Sequence, residues 1–312
     1  MRITVIGGTG HIGSYLVPRL VTAGHDVTSV SRGQRQPYRD DPAWASVTRV
    51  VIDREDEEAR GTFGATIAGL QPVAVIDLTC FTLASAEQLV DALRSRISHF
   101  LHCGTIWVHG HSVEVPTRET HLRRPLGEYG QRKVAIERYL LDHASQRGFP
   151  ATILHPGHLV GTGWLPINPV GNFDSRVFSD LAAGREVTIP NFGMETLHHV
   201  HADDVAQAFV KALEQPAASI GQSFHVVSPA ALTLRGYAEK MAEWFGPEPQ
   251  LKFLPFDEWR QGKSDRDATI TRNHLIHSSN CSIEKARTLL GFAPRSSLEA
   301  VQEAVARLDA SC

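Results

Sequence analysis

The chain has 312 residues, of which 42% are hydrophobic and 21% are charged, and its formal net charge is -3 at pH 7. This composition is typical of a globular protein, and the length suits one large α/β domain or a main domain with a smaller second one. A nucleic-acid partner is not expected, because proteins that bind nucleic acids usually carry a basic excess. No apolar run approaches the roughly 20 residues that a membrane span requires, so no membrane association is expected.

The cysteines are scattered, and no pair has the CxxC spacing of a redox or metal motif; they are Cys80, Cys103, Cys281 and Cys312. The first residues show a strand pattern rather than a signal peptide. Reduced thiols and a cytoplasmic location are therefore expected.

Residues 2–32 predict a βαβ unit, in which a β-rich run, a glycine-rich turn and an apolar-faced helix lead to a second strand at 26–30. Gly7, Gly10 and Gly13 have the spacing GxxGxxG between the first strand and the helix. Such glycines let backbone N–H groups approach a pyrophosphate at the positive end of the helix. The alternative is a purely structural turn. The dinucleotide contacts expected in this loop are Gly7, Thr9, Gly10, His11, Ile12 and Gly13.

The end of the second strand indicates which dinucleotide is bound. A carboxylate there accepts hydrogen bonds from the NAD ribose, whereas an arginine pairs with the 2′-phosphate of NADP. This chain has Ser31 and Arg32 at that point, and Asp40 comes too late. The pattern favours NADP(H) over NAD(H), although Arg32 is alternatively a solvated turn residue. Asp53, which ends the third strand, is expected either to reach the adenine edge or to cap a helix.

Further strand patterns are separated mostly by helical ones and occur at 47–53, 73–79, 99–105, 151–156 and 222–228. This alternation predicts an α/β fold with a doubly wound, mostly parallel sheet.

Residues 155–172 hold four glycines and three prolines, which predicts a loop on the substrate side. Short strands at 186–190 and 250–255 then mix with helices at 174–184, 203–214, 233–245 and 282–290. We predict a dinucleotide-binding domain at 1–160, to which a strand near 222–228 returns. Residues 161–312 are predicted to form mainly a smaller α+β substrate-binding cap.

Tyr129 and Lys133 are four residues apart, so on a helix their side chains share one face. A nearby ammonium stabilises a phenolate and lowers the pKa of the phenol, which makes tyrosine a usable acid or base. The lysine is also expected to reach the nicotinamide ribose.

The stretches VIGGTGHIG, CGTIWVHG, EYGQRK, ILHPGHLVG, HHVHADDVAQAF and LLGFAPRSSLEAV extend over nearly the whole chain. Through them the sequence resembles the extended short-chain dehydrogenase/reductases, the group that includes the NAD-dependent epimerase/dehydratase family, and this resemblance implies a Rossmann-type fold. It also implies that Thr105, five residues before Gly110, polarises a substrate oxygen. Tyr129 is then implied to transfer the proton of the substrate hydroxyl, and Lys133 to tune the pKa of the Tyr129 phenol. Leu78 and His155 are the other implied cofactor contacts. The chain departs from the family pattern at Gly104, where a hydroxyl is usual, and at His109, where an aromatic residue is usual.

The resemblance allows several reactions. We favour an NAD(P)-dependent reductase or dehydrogenase that transfers hydride reversibly at a carbonyl or alcohol carbon of a small molecule. A nucleotide-sugar epimerase is second, because an arginine common in epimerases is replaced by Leu197 or His198. A dehydratase ranks last, because dehydratases of this family usually carry two acidic residues directly after the catalytic threonine, where this chain has Ile106 and Trp107. A nucleotide-sensing or RNA-associated protein without catalysis is a further alternative, disfavoured by the intact Tyr129 and Lys133.

Several polar and aromatic residues are candidate substrate contacts, with a packed or solvated role as the alternative for each; they are Trp107, His155, His158, Trp164, Asn168 and His199. The histidine-rich stretches 109–111 and 198–201 lack metal-ligand spacing, so no metal is expected. Helices near 86–97 and 128–146 are expected to pair in a homodimer, as the resemblance implies.

Overall fold

The structure is a computed structural model that describes residues 1–309. Its strands are β1 (Arg2–Ile6), β2 (Asp26–Ser31), β3 (Thr48–Val51), β4 (Ala74–Asp77), β5 (His99–Cys103), β6 (Ala151–Pro156), β7 (His158–Val160), β8 (Val187–Pro190), β9 (Thr196–Leu197), β10 (His199–His201), β11 (Gln222–Val226), β12 (Leu232–Thr233) and β13 (Leu251–Leu254).

The α-helices are α1 (Gly13–Thr22), α2 (Arg54–Ala59), α3 (Phe63–Gly69), α4 (Leu83–Leu93), α5 (Gly127–Arg147), α6 (Arg176–Ala182), α7 (Ala202–Glu214), α8 (Pro216–Ser219), α9 (Leu234–Phe245), α10 (Phe256–Trp259), α11 (Asp265–His277), α12 (Glu284–Leu290) and α13 (Ser297–Asp309). Short 3₁₀ helices occur at Pro42–Ser46, Ile106–His109 and Arg260–Gly262.

Seven strands form one parallel sheet in the order β11-β6-β5-β4-β1-β2-β3, which confirms the predicted Rossmann-type doubly wound fold. Strand β11 returns to the sheet edge beside β6, as predicted. Every residue of β4, β5 and β6 is buried, because helices cover both faces of the sheet.

Strand order reverses between β1 and β4, and ligands of open α/β sheets bind outside the carboxyl ends of the strands at such a point. The glycine loop follows β1, and Leu78 follows β4. The fold therefore places these two segments next to each other at the edge where a dinucleotide is expected.

The hydrophobic cores follow the sheet rather than the order of the chain. Helices α1, α7 and α12 pack on one face of the sheet, and α3, α4 and α5 pack on the other. A separate core joins residues from Val160 to Leu197 with residues from Leu234 to Val305. This second core is thus assembled from two stretches of chain, and β10, α7 and β11 lie between them in sequence.

The glycine- and proline-rich segment differs from the predicted loop, because it contains the short strand β7. This strand pairs in parallel with β10, and the register places His158 opposite His199. The sequence also gave no prediction for α11, which is polar over most of its surface. No helix in the described part of the chain combines the length and apolar character needed to cross a bilayer.

Candidate active site

The glycine loop is shaped by backbone contacts that exclude larger side chains. Gly7 has a φ of 86°, in the left-handed region, and a Cβ there would lie 2.5 Å from Cγ2 of Thr79. A Cβ on Gly13 would lie 2.2 Å from the carbonyl oxygen of Gly8. At Gly10, by contrast, the one atom that a Cβ would meet within 4 Å is the Gly7 oxygen, at 3.1 Å. The side of the loop at Gly10 is therefore open.

The loop fits the pyrophosphate of a dinucleotide. The N–H of Gly10 donates to the Gly7 carbonyl at 3.0 Å and closes the turn. Within residues 1–309, the N–H groups of Thr9, His11, Ile12 and Gly13 have no hydrogen-bond acceptor. These donors stand at the positive end of α1, where an anion is favoured.

The side chain of His11, a residue of this loop, packs against two aromatic rings. Its imidazole stacks on Trp164 with ring centroids 4.7 Å apart and meets the edge of Tyr38 at 5.5 Å. Burial, with a smaller contribution from His201, lowers the pKa of His11 to about 4, so the ring is neutral at pH 7. Both ring nitrogens are buried and lack a partner among the described residues. Trp164 thus lies over the glycine loop.

At the predicted adenosine end, Arg32 follows β2 and is exposed, and no side chain in the described part of the chain pairs with it. Ser31 is partly buried. Asp53 caps α2, because its Oδ1 accepts from the N–H groups of Glu55 at 3.0 Å and Asp56 at 3.4 Å. The capping alternative for Asp53 is therefore realised, and an adenine contact stays a prediction.

A buried ion pair that the sequence did not suggest fixes the turn after β4. Arg54 Nη1 donates to both carboxylate oxygens of Asp77, at 2.8 and 3.1 Å. Asp77 is fully buried, and its Oδ1 also accepts from the N–H of Thr79 at 3.1 Å. Since Thr79 is the residue that touches Gly7, this pair holds Leu78 and Thr79 against the glycine loop. A buried aspartate at the end of an apolar strand was the available sequence signal.

Thr105 and Lys133 meet at the carboxyl end of β5. Thr105 caps the 3₁₀ helix Ile106–His109, and its Oγ1 accepts from the N–H of Trp107 at 3.3 Å. The ammonium of Lys133 is buried and donates to the carbonyls of Cys80 at 2.8 Å and Cys103 at 2.7 Å. Lys133 therefore ties the ends of β4 and β5 together, and one of its three N–H donors remains for a ligand.

The phenol of Tyr129 shows the opposite pKa shift to the one predicted. Its pKa is raised to about 12, chiefly by burial and then by Cys103, while the Thr105 side chain acts in the lowering direction. Lys133, whose ammonium donates to two carbonyls, is not among the groups that shift this pKa. The pKa of this phenol is thus raised in this structure, and a tuning role for Lys133 stays a prediction. Since 44% of the Tyr129 surface is exposed, this desolvation is only partial, and a substrate can reach the side chain.

His155 lies behind Thr105 and not in a cleft. It is fully buried, and its Nδ1 accepts from the N–H of Thr105 at 3.0 Å. Since Nδ1 accepts, the neutral ring carries its proton on Nε2, which donates to Oε1 of Glu137 at 3.0 Å. The Arg123 guanidinium donates to both oxygens of the same carboxylate, from Nη2 to Oε1 at 2.6 Å and from Nε to Oε2 at 3.0 Å. Burial alone would raise the pKa of Glu137, but His155 and Arg123 hold it well below the usual range.

This network explains the unusual Gly104. A Cβ at this position would lie 2.3 Å from Nδ1 of His155 and 3.1 Å from Cγ2 of Ile153. No side chain fits between β5 and the His155 ring, so the observed position of His155 requires a glycine at position 104. The imidazole of His155 therefore contacts the Thr105 backbone rather than lining a cleft, and a contact of His155 with the cofactor stays a prediction. Sequence spacing could not reveal this pairing across the sheet.

Five rings form what we call the Trp107 cluster, on the substrate side of Tyr129; they are Trp107, His158, His199, His274 and His277. The indole of Trp107 stacks on His277 with centroids 4.1 Å apart and planes 12° apart. It also meets His274 at 5.4 Å, His158 at 6.1 Å and Tyr129 at 6.2 Å. The structure thus brings together three predicted substrate contacts, Trp107, His158 and His199.

His274 and His277 were missed, because no helix was predicted at the position of α11. They are three residues apart and face the same way on that helix. Asn168 lies elsewhere: its Oδ1 accepts from Val170 and Asn172, and its amide nitrogen donates to Asn172 and Asp174. This fully buried side chain organises its own loop and has no donor left for a substrate.

The described residues contain no group of three or more His, Cys, Asp or Glu side chains suited to hold a metal ion. Cys80, Cys103 and Cys281 are free and buried. Burial raises the pKa of the Cys80 and Cys281 thiols to about 12, so these thiols are unreactive at neutral pH. Cys312 lies outside the described residues.

Comparisons with known proteins identify relatives of the whole chain. A curated relative, chloroplast stem-loop binding protein of 41 kDa b from Arabidopsis thaliana, is 26% identical over 94% of this chain and 75% of its own length. The 2'-dehydrokanamycin reductase of Streptomyces kanamyceticus is 25% identical over 79% of this chain and 67% of its own length. A solved structure of UDP-glucuronic acid 4-epimerase from Bacillus cereus, in complex with UDP-glucuronic acid and NAD, matches all of both chains with a TM-score of 0.75 at 17% identity.

The model of the NAD-dependent epimerase/dehydratase family matches residues 3–226, which include the glycine loop, Thr105, Tyr129 and Lys133. The predicted resemblance is confirmed. The chain therefore belongs to the NAD-dependent epimerase/dehydratase family and is an enzyme that uses a nicotinamide dinucleotide.

Proposed function

We propose that this protein is an NADP(H)-linked reductase or dehydrogenase that acts on a carbonyl or alcohol carbon of a small molecule. The observation that supports it most is the meeting of Thr105, Tyr129 and Lys133 around the carboxyl end of β5, at the strand edge that also holds the glycine loop. The bound dinucleotide supplies or accepts the hydride.

The chain's own residues bind the substrate and handle its proton. The Thr105 hydroxyl donates a hydrogen bond to the substrate oxygen and orients it. The Tyr129 hydroxyl, which stays protonated at neutral pH, gives its proton to that oxygen during reduction. In the reverse direction the phenolate must form first, so oxidation is favoured at higher pH. The free N–H of Lys133 is available to the ribose of the dinucleotide.

Tyr129→Phe tests the role of the phenol. We expect turnover to fall by about 10²–10⁴-fold, the usual contribution of a positioned proton donor, while the dissociation constant of the dinucleotide changes little. Tyr139→Phe on the same helix is the control, because Tyr139 contacts His143 and is expected to keep full activity. Turnover of the Tyr129 variant within threefold of wild type would rule out this assignment.

Arg32→Ala tests the preference for NADP(H). A charge-assisted contact with the 2′-phosphate contributes about 1.5–3 kcal/mol, so NADPH binding should weaken by about 10–100-fold and NADH binding should not change. Arg138→Ala, on the exposed part of α5, is the control. Tighter binding of NADH than of NADPH by the wild-type protein would contradict the proposal.

An epimerase is the second candidate, since the family includes enzymes of that class. It is less favoured because both ring nitrogens of His198 are used internally, by the N–H of Cys281 at 3.0 Å and the Ser228 carbonyl at 2.7 Å. An RNA-associated role, suggested by the name of one relative, is the third. Assays with NADPH and carbonyl compounds, with UDP-glucose, and with stem-loop RNA separate the three.

We also propose a cytoplasmic homodimer that pairs through α4 and α5. The free, buried cysteines support a reducing compartment. The dimer rests on the family resemblance alone. Light scattering on the purified protein tests it, and a monomer at micromolar concentration would contradict it.

A further inference from the structure

The Trp107 cluster contains polar atoms without partners. The Nε1 of Trp107 and the Nε2 of His277 are buried, and neither has a hydrogen-bond partner within the described residues. A buried unpaired donor or acceptor is unfavourable, and native proteins normally satisfy such groups. These atoms therefore have unused capacity for the oxygens of a ligand.

The open edge of the cluster adjoins the proposed proton donor. Trp107 and His158 are partly exposed, whereas His199, His274 and His277 are buried. The indole ring, whose centroid is 6.2 Å from that of Tyr129, gives the edge a flat apolar wall. Flat rings pack well against such a wall, so the shape favours a cyclic substrate.

The cluster carries no charge at neutral pH. Burial, followed by neighbouring imidazoles, lowers the pKa of His158 well below its usual value, that of His274 to about 4 and that of His199 to about 3. The pKa of His277 is also lowered, mainly by burial. Histidine contacts with carboxylates within residues 1–306 occur elsewhere in the fold, at His121, His155, His201 and His225.

An anionic substrate would be bound poorly at such a surface. A phosphate or carboxylate that leaves water needs a cationic partner, and neutral imidazoles do not provide one. Hydroxyl and carbonyl oxygens, in contrast, are matched by neutral ring nitrogens and an indole N–H.

We propose that the Trp107 cluster selects an uncharged ring that carries hydroxyl or carbonyl oxygens, and that it discriminates against nucleotide sugars and other anions. The inference rests on the proposed function, because it concerns the substrate of that site. It names Trp107 and His277 as specificity-determining residues.

The test compares matched pairs of probes on the full-length wild-type chain. One pair is 4-methylacetophenone and 4-acetylbenzoate, and the other is methyl glucoside and UDP-glucose. Binding is measured by titration calorimetry with NADP⁺ present, and turnover is measured in parallel. We expect the uncharged member of each pair to bind at least tenfold more tightly. Equal or tighter binding of the anionic members, or no binding of either uncharged ring, would overturn the proposal.

Variants test whether Trp107 and His277 produce this preference for uncharged rings. Trp107→Ala should weaken binding of the uncharged ring at least tenfold, and His277→Phe should do so while keeping a ring stacked on Trp107. His143→Phe, at the far end of α5, is the matched control and should bind as wild type does. Unchanged binding in both cluster variants would overturn the assignment. If uncharged rings bind but neither dinucleotide supports hydride transfer to any carbonyl probe, the proposed function fails and the binding inference stands.

Discussion

Replacing Gly104 with alanine tests whether His155 holds Thr105 in place. The added Cβ would lie 2.3 Å from Nδ1 of His155, whereas ordinary contact begins at 3.4 Å, so one of the two must move by about 1.1 Å. The ring cannot yield easily, because Glu137 holds its Nε2 at 3.0 Å and Ile153 lies beside it.

The expected cost follows from these contacts. Overpacking a core position costs about 1–3 kcal/mol, and leaving the buried N–H of Thr105 without its acceptor costs about 1–3 kcal/mol more. Gly104→Ala should therefore lower the free energy of unfolding by about 2–6 kcal/mol. If Thr105 shifts by about 1 Å, the turnover number should fall by about 10²-fold.

Urea denaturation and steady-state kinetics measure the two effects. Gly69→Ala is the control, because nothing lies within 4 Å of a Cβ at that position, at the end of α3. In a double-mutant cycle, His155→Ala should relieve the clash, so the double variant should be destabilised by less than the sum of the singles. Strict additivity, or a Gly104 variant as stable and active as wild type, would refute the role of His155.

Three further outcomes are expected. Glu137→Gln breaks a buried ion pair with Arg123, so it should lower the free energy of unfolding by about 3–5 kcal/mol in denaturant titrations; a loss below 1 kcal/mol would show that the pair is dispensable. Gly13→Ala should abolish dinucleotide binding in calorimetry, because its Cβ would meet the Gly8 carbonyl at 2.2 Å; retained affinity would contradict the loop assignment. Acidification should lower the free energy of unfolding. In the folded protein the buried His199 and His274 have pKa values of about 3 and 4, so below pH 6.5, their ordinary pKa, the imidazoles take up protons when the protein unfolds. Their stabilisation is complete above pH 6.5 and falls towards pH 4, by about 1.4 kcal/mol per pH unit for each ring; equal stability at pH 7 and pH 5 would exclude this.

Much of the main sheet was predictable from local patterns. Strand β6 has the predicted bounds, and β2 to β5 and β11 lie within two residues or so of the predicted ranges. The glycine loop was equally clear, since its spacing, the strand before it and the helix after it are all local in sequence. The helix that carries Tyr129 and Lys133 follows from four-residue spacing.

The surroundings of these residues were not predictable. Strand β7 forms because residues 158–160 find a partner in β10, and a three-residue ladder leaves little trace in sequence. The imidazoles of α11 reach Trp107 across about 170 positions of chain, and His155 reaches Thr105 across 50.

The sequence alone determined the fold class and the dinucleotide loop, because these depend on hydrophobic periodicity and on spacing within one element. It also supplied Thr105 and Tyr129 as candidate catalytic hydroxyls, through the family resemblance. Only the tertiary structure decided what surrounds them. Lys133 is bound to two strand-end carbonyls rather than to Tyr129, and His155 occupies the space that Gly104 leaves. Both outcomes depend on which strands become neighbours and on which side chains then compete for the same volume, and the linear order of residues does not encode that directly.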